Sequence, residues 1–129
     1  MYRLSAQHRF SAAHALREYQ GPCCQLHGHN YTVEVRLAGT ELDALGMLVD
    51  YHEVKEALTK AIEPFDHAYL NDLPEFADTN PTSENIARVL YSRVKEYLFT
   101  RDDLRRRIHL VEVVVFETDR QGVGYGEDD

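Results

Sequence analysis

The stretch from His27 to Leu37 constrains the fold more than any other part of the chain. Tyr31, Val33, Val35 and Leu37 occupy odd positions, and Thr32, Glu34 and Arg36 stand between them. Apolar and polar residues alternating at period 2 describe a strand with one covered and one wet face, the usual state of an antiparallel sheet. His27 and His29 continue the odd, apolar side. Residues two apart on a strand point the same way, so both imidazoles can reach a common point. Gly28 between them leaves the opposite face open to close backbone approach.

The segments around this strand complete an α+β pattern. Upstream, Tyr2, Leu4, Ala6, His8, Phe10, Ala12 and His14 fall on alternate positions and predict a first strand, followed by a loop from Arg17 to Leu26. Downstream, Asp50 and Glu53 form a plausible capping box. Val54, Leu58, Ala61, Ile62 and Phe65 then repeat at helical spacing until Pro64 and Asp66 close the segment. Asn71 to Pro81 reads as loop. Thr82 or Ser83 caps a second helix with Ile86, Leu90, Val94, Tyr97 and Leu98 on its apolar side. Arg101 to Arg107 reads as a charged turn, Ile108 to Glu117 as a β-branched strand, and Val123 to Tyr125 as a short last strand. The order β-β-α-α-β-β predicts an α+β domain with an antiparallel four-stranded sheet and two helices on one face. At 129 residues it is one domain, 1–129. Such a sheet has edges to manage, and pairing them between subunits predicts a homo-oligomer.

Composition removes several classes of function. With 14 Lys+Arg against 22 Asp+Glu, the net charge of −8 speaks against nucleic acid bound on a broad basic face. It speaks equally against docking on an anionic membrane. No apolar run approaches the roughly 18–20 residues of a membrane span, and the N-terminus has no signal-peptide core. The adjacent Cys23 and Cys24 make no disulfide framework, so a reduced, cytoplasmic setting is expected.

The seven histidines are the unusual entry in the composition. His8, His52 and His109 read as ordinary, satisfied and partly buried residues. In a hairpin of the first two strands His14 can sit beside His27 and His29. Three imidazoles would make an open zinc site with a fourth position free. Cys23 can be read in two ways: as a fourth ligand closing a structural site, or as a free thiol near a cation and available as a base.

Five segments occur in order: Phe10-Ser11-Ala12-Ala13-His14, Cys23-x-x-x-His27-Gly28-His29, Asp66-His67-x-x-Leu70-Asn71, Pro81-Thr82-Ser83-Glu84-Asn85 and Glu117-Thr118. Together they resemble the 6-pyruvoyltetrahydropterin synthase superfamily over nearly the whole chain. The three residues between Cys23 and His27 resemble the QueD-type 6-carboxy-5,6,7,8-tetrahydropterin synthases of queuosine (7-deazaguanine) biosynthesis. Members that make 6-pyruvoyltetrahydropterin typically carry five.

The resemblance implies a T-fold, assembled as trimers stacked into a homohexamer with active sites between subunits. It implies Zn2+ on His14, His27 and His29, with Cys23, Asp66 and His67 as catalytic residues. It also implies Glu117 as the pterin anchor, with Thr82, Ser83 and Glu84 lining the pterin pocket. The implied substrate is 7,8-dihydroneopterin triphosphate. The alternatives are triphosphate elimination to 6-pyruvoyltetrahydropterin and a non-catalytic zinc- or pterin-binding module. A triphosphate also needs local cations in an acidic chain, and Arg9, Arg17, Lys55 and Arg105-Arg106-Arg107 are the candidates.

Overall fold

The computed structural model describes residues 1–21 and 25–127. Cys23 and Cys24 therefore lie outside the described residues. Two long strands, β1 (Tyr2–His14) and β2 (His27–Gly39), pair antiparallel along their full length. Helices α1 (Tyr51–Ile62), α2 (Ser83–Leu98) and α3 (Asp102–Arg107) follow, and β4 (His109–Thr118) and β5 (Gln121–Tyr125) close the chain. A two-residue strand, β3 (Ala68–Tyr69), runs parallel to β1 at Ala12 and Ala13. The sheet order is β3-β1-β2-β4-β5.

The fold class is the expected α+β, and the four expected strands are present. β3 adds a fifth, too short to leave a period in the sequence. The helix over Asp102–Arg107 replaces the expected charged turn. Only Leu104 of that helix is buried, so it carries no apolar repeat to read. Two 3₁₀ turns, Leu70–Asp72 and Pro74–Phe76, break the expected loop after Asn71.

Alternation places Tyr31, Val33, Val35 and Leu37 in the core, all fully buried, under α1 and α2. Val54, Leu58, Ala61 and Ile62 of α1 and Ile86, Leu90, Val94 and Leu98 of α2 meet them from above. Tyr97, expected on the apolar side of α2, is 41% exposed, and Tyr91 takes the buried aromatic position. The far face of the sheet stays polar. There Glu34 pairs with Arg36 and Gln7, and Arg36 also reaches Glu112. Asp50 caps α1 by accepting from the His52 N–H at 2.9 Å, while Glu53 turns its carboxylate to Arg101 rather than completing a box. Thr82 caps α2 by accepting from Asn85 N–H.

Two irregularities interrupt β4: one against β5 falls between Phe116 and Thr118, at Glu117, and the other lies against β2. Arg36 is opposite Glu112, but Leu37 is opposite Leu110, so Val111 is an extra residue on β4. This β-bulge resets the alternation. Leu110, Val113 and Val115 face the core, whereas His109 and Val111, expected on that face, are exposed. Beyond the bulge the alternation carries on to Glu117, on the same side as Val113 and Val115.

Candidate metal and substrate site

The two long strands bring the three histidines together. His14 is directly opposite His27 in the β1–β2 ladder, and Ala12 is opposite His29. Val33 is opposite Val115. Two residues beyond Val115, and just past the end of that ladder, Glu117 brings its Oε1 to 2.6 Å from His29 Nε2. Ligand atoms of His14, His27, His29 and Glu117 all lie within 4.8 Å of one another. These four residues could hold a metal ion.

The hydrogen bonds around the rings favour that use. His14 Nδ1 lies 2.7 Å from the Pro81 carbonyl, and His27 Nδ1 lies 2.8 Å from the Gln25 carbonyl. A carbonyl only accepts, so both Nδ1 atoms carry the proton. In the neutral rings both Nε2 atoms are then bare lone pairs, and they face each other at 2.9 Å. Lone pairs do not approach so closely without a cation between them, either a proton or a metal ion. The second partner on each outer nitrogen is the arrangement that orients imidazole ligands. His29 Nε2 is buried and makes no hydrogen bond of acceptable geometry, although Glu117 Oε1 is 2.6 Å away. Three convergent nitrogens and one carboxylate suit zinc. They also suit nickel, copper or iron.

Burial holds the His29 ring below the ordinary imidazole value. Glu117 pulls the other way, and the neighbouring His14 and His27 rings add to the lowering. The net direction favours the neutral ring, the form that ligates. Tyr31, fully buried, sets its hydroxyl 3.3 Å from His14 Nδ1. Burial, and after it the Glu117 charge, push that phenol above its usual value.

A cavity of about 560 Å³ opens beside the cluster. His14, Glu117, Thr82, Ser83 and Glu84 line it, as do Arg120, Gln121 and Gly122. The four residues expected at a pterin pocket therefore share one concavity with His14. Ser83 Oγ donates to Glu117 Oε2 at 3.3 Å, which ties the start of α2 to the end of β4. The reading from sequence did not find the contact of Glu117 with the histidines. Alternation put Glu117 on the side of Val113 and Val115, but the pairing of β4 with β2 that brings that side to His29 is long-range and leaves no local signal.

Asp66 and His67 stand outside the cluster. The chain turns at His67 with φ of 59°, the left-handed region that few side chains adopt. This turn resolves the conflict between adjacent residues pointing apart in extended chain and a dyad that must meet: His67 Nδ1 lies 3.0 Å from Asp66 Oδ1. The Ser11 N–H, donating at 3.0 Å, and after it the His67 ring hold the Asp66 carboxyl below its usual range. The His67 side chain is 82% exposed and borders a second, shallow groove shared with Ser11, Gly28 and His29. Gly28 is not required by a tight approach: an added Cβ would meet only the Ala12 carbonyl, at 3.7 Å. It leaves the groove open instead.

The expected cations are mostly placed elsewhere. The Arg17 guanidinium donates to three backbone carbonyls, and Arg105 and Arg107 are engaged around α3. α3 precedes β4, and Glu117 sits at the other end of that strand, about 25 Å away at roughly 3.3 Å per residue. Arg120, absent from that candidate set, borders the cavity.

Comparison with known proteins gives a consistent picture. A family model described as 6-pyruvoyl tetrahydropterin synthase matches residues 3–128. A Bacillus subtilis protein named 6-carboxy-5,6,7,8-tetrahydropterin synthase is 37% identical over 122 residues, spanning 91% of this chain and 80% of its own length. A Dictyostelium discoideum protein named 6-pyruvoyl tetrahydrobiopterin synthase is 30% identical over 134 residues, spanning 95% of this chain and 93% of its own. The solved structure of Caenorhabditis elegans 6-pyruvoyl tetrahydropterin synthase superposes with a TM-score of 0.83 at 28% identity, covering 98% of this chain and 96% of that one.

Proposed function

Since the chain belongs to the 6-pyruvoyl tetrahydropterin synthase family of enzymes, with its T-fold, we propose that it is a zinc-dependent 6-carboxy-5,6,7,8-tetrahydropterin synthase. It takes 7,8-dihydroneopterin triphosphate and water to 6-carboxytetrahydropterin, acetaldehyde and triphosphate, in queuosine biosynthesis. The single observation that carries a metal-assisted reaction is the pair of Nε2 lone pairs facing each other at 2.9 Å beside a substrate-sized cavity. The relatives named for the 6-carboxy product, and the spacing of three between Cys23 and His27, favour that product.

His14, His27 and His29 would hold the zinc ion, which would supply a Lewis acid for the side-chain oxygens of the substrate. Glu117 anchors the pterin, because one carboxylate can accept from an amino group and a ring N–H side by side. Thr82, Ser83 and Glu84 shape the pocket around that contact. Cys23, as thiolate, takes a proton from the side chain. Asp66 orients the His67 ring and supports its protonated form, so that His67 returns a proton.

The dyad, exposed on the other groove, serves a site completed by a second subunit. Among the described residues the outer edge of β1 is paired only at Ala12 and Ala13, and β5 ends the sheet. Open edges of that length support a homo-oligomer built by sheet pairing, two stacked trimers in the hexameric form. No helix among the described residues is long and apolar enough to cross a membrane. The cytoplasmic setting rests instead on the two adjacent cysteines, which make no disulfide framework.

Mass analysis of the product from 7,8-dihydroneopterin triphosphate tests the reading. A 6-carboxy product supports it. A 6-pyruvoyl product would move the chain to the triphosphate-eliminating branch, and no turnover by zinc-loaded protein would leave a binding module.

A further inference from the structure

The segment that delivers the Pro81 carbonyl to His14 is fastened by side chains with no assigned role in the reaction. Asn71 copies one rung of a β-ladder: its Oδ1 accepts from the Ala15 N–H at 2.9 Å, and its Nδ2 donates to the Ala15 carbonyl at 2.8 Å. Asn80 repeats the device on Arg17, accepting from its N–H at 2.7 Å and donating to its carbonyl at 3.1 Å. The Arg17 guanidinium closes the loop from within, donating to the carbonyls of Asn71, Phe76 and Thr79 at 3.0, 2.7 and 2.9 Å. Every one of these contacts bridges the residues just after His14 to the residues just before Pro81.

The consequence reaches the cluster directly. The stitched segment ends at Asn80, and the next residue sets its carbonyl 2.7 Å from His14 Nδ1. That contact keeps the proton on Nδ1 and aims Nε2 at His27. His14 is 2% exposed, and among the described residues the other polar group beside Nδ1 is the Tyr31 hydroxyl, at the longer distance of 3.3 Å. We propose that Arg17, Asn71 and Asn80 are positioning residues of the metal site, holding Pro81 where it fixes the tautomer and direction of His14. The inference rests on the reading of His14, His27 and His29 as metal ligands. It also gives Arg17 a structural use in place of the one expected toward the triphosphate, with three of its five N–H donors committed to carbonyls.

Zinc affinity, measured by chelator competition on purified protein, tests this with Arg17→Met and Asn80→Ala. The sign of the first variant discriminates. Removing a positive charge near a cation site would, by charge alone, tighten metal binding. Loss of position weakens it instead, by the 10–100-fold typical of partners that orient a ligand. The visible spectrum of the Co2+-loaded variants should shift in band position or intensity as His14 loses its orientation. Tighter or unchanged zinc binding, with an unaltered cobalt spectrum, overturns the proposal. So does a pair of variants that fail to fold, which would assign the stitching to stability alone. Absence of zinc binding by the unmodified protein would instead refute the metal reading itself.

Discussion

Glu117→Gln separates two uses of one carboxylate. Its Oε1 lies 2.6 Å from His29 Nε2 and 3.9 Å from His14 Nε2, and its Oε2 accepts from Ser83. It also borders the cavity, with 29% of its side chain exposed. As pterin anchor it accepts two hydrogen bonds from adjacent donors. Glutamine keeps one acceptor and turns an amino group onto the second donor, so one charge-assisted bond is lost and one donor is left facing a donor. A hydrogen bond to a charged group is worth about 1.5–3 kcal/mol, and the partial exposure argues for the lower part of that range per group. Two affected donors give about 3 kcal/mol, or roughly a hundredfold in kcat/KM. Because binding of the pterin is common to ground and transition states, most of the loss should appear in KM. Zinc content should hold, since three imidazoles suffice for an open site. Steady-state kinetics and chelator competition on the same preparation are the assay. Unchanged kinetics would remove Glu117 from the pocket, and loss of zinc with the kinetics would make it a ligand rather than an anchor.

Other consequences are simpler to read. His27→Ala should abolish tight zinc binding while far-UV circular dichroism stays unchanged, because His27 is not part of the buried core; retained stoichiometric zinc would exclude His27 as a ligand. Thr82→Ala removes the cap of α2 and should cost about 1 kcal/mol, seen as a fall of a few degrees in Tm, and no change would mean that the cap contributes nothing. Phe65→Ala, at a fully buried ring packed on Phe10 and Phe76, should cost about 3–5 kcal/mol in denaturant unfolding. The metal-free protein should lose stability on acidification in two windows. His29, lowered in the fold by burial, contributes stability that is full above the ordinary imidazole value and is lost as pH falls through its depressed one. Asp66, also lowered, contributes the same way across the carboxylate range together with Glu34 and Asp43, and Asp66→Asn should shrink the lower window, which a titration of unfolding midpoint against pH would show.

What the sequence made legible, and what it hid, follows from the range of the interactions involved. Period 2 alone put His27, His29 and Tyr31 on one face, and a hairpin then brought His14 opposite His27. Both are consequences of local geometry. The carboxylate beside them depended on pairing between distant strands, which leaves no local signal. His67 needed a left-handed turn to meet Asp66, a conformation that its residue type does not announce. Helix α3 buries one leucine and so has no period to detect. Arg17 looked like a free cation because the three carbonyls it holds come from residues 54 to 62 positions away. Charge composition framed the problem of a triphosphate in an acidic chain, yet only the fold showed Arg120 beside the cavity.

Acetaldehyde release from 7,8-dihydroneopterin triphosphate tests the assignment most directly. Zinc-loaded protein should release acetaldehyde and 6-carboxytetrahydropterin in equal amounts, lose that activity on chelation, and regain it when zinc is returned. A 6-pyruvoyl product without acetaldehyde, or turnover that survives complete metal removal, would contradict it.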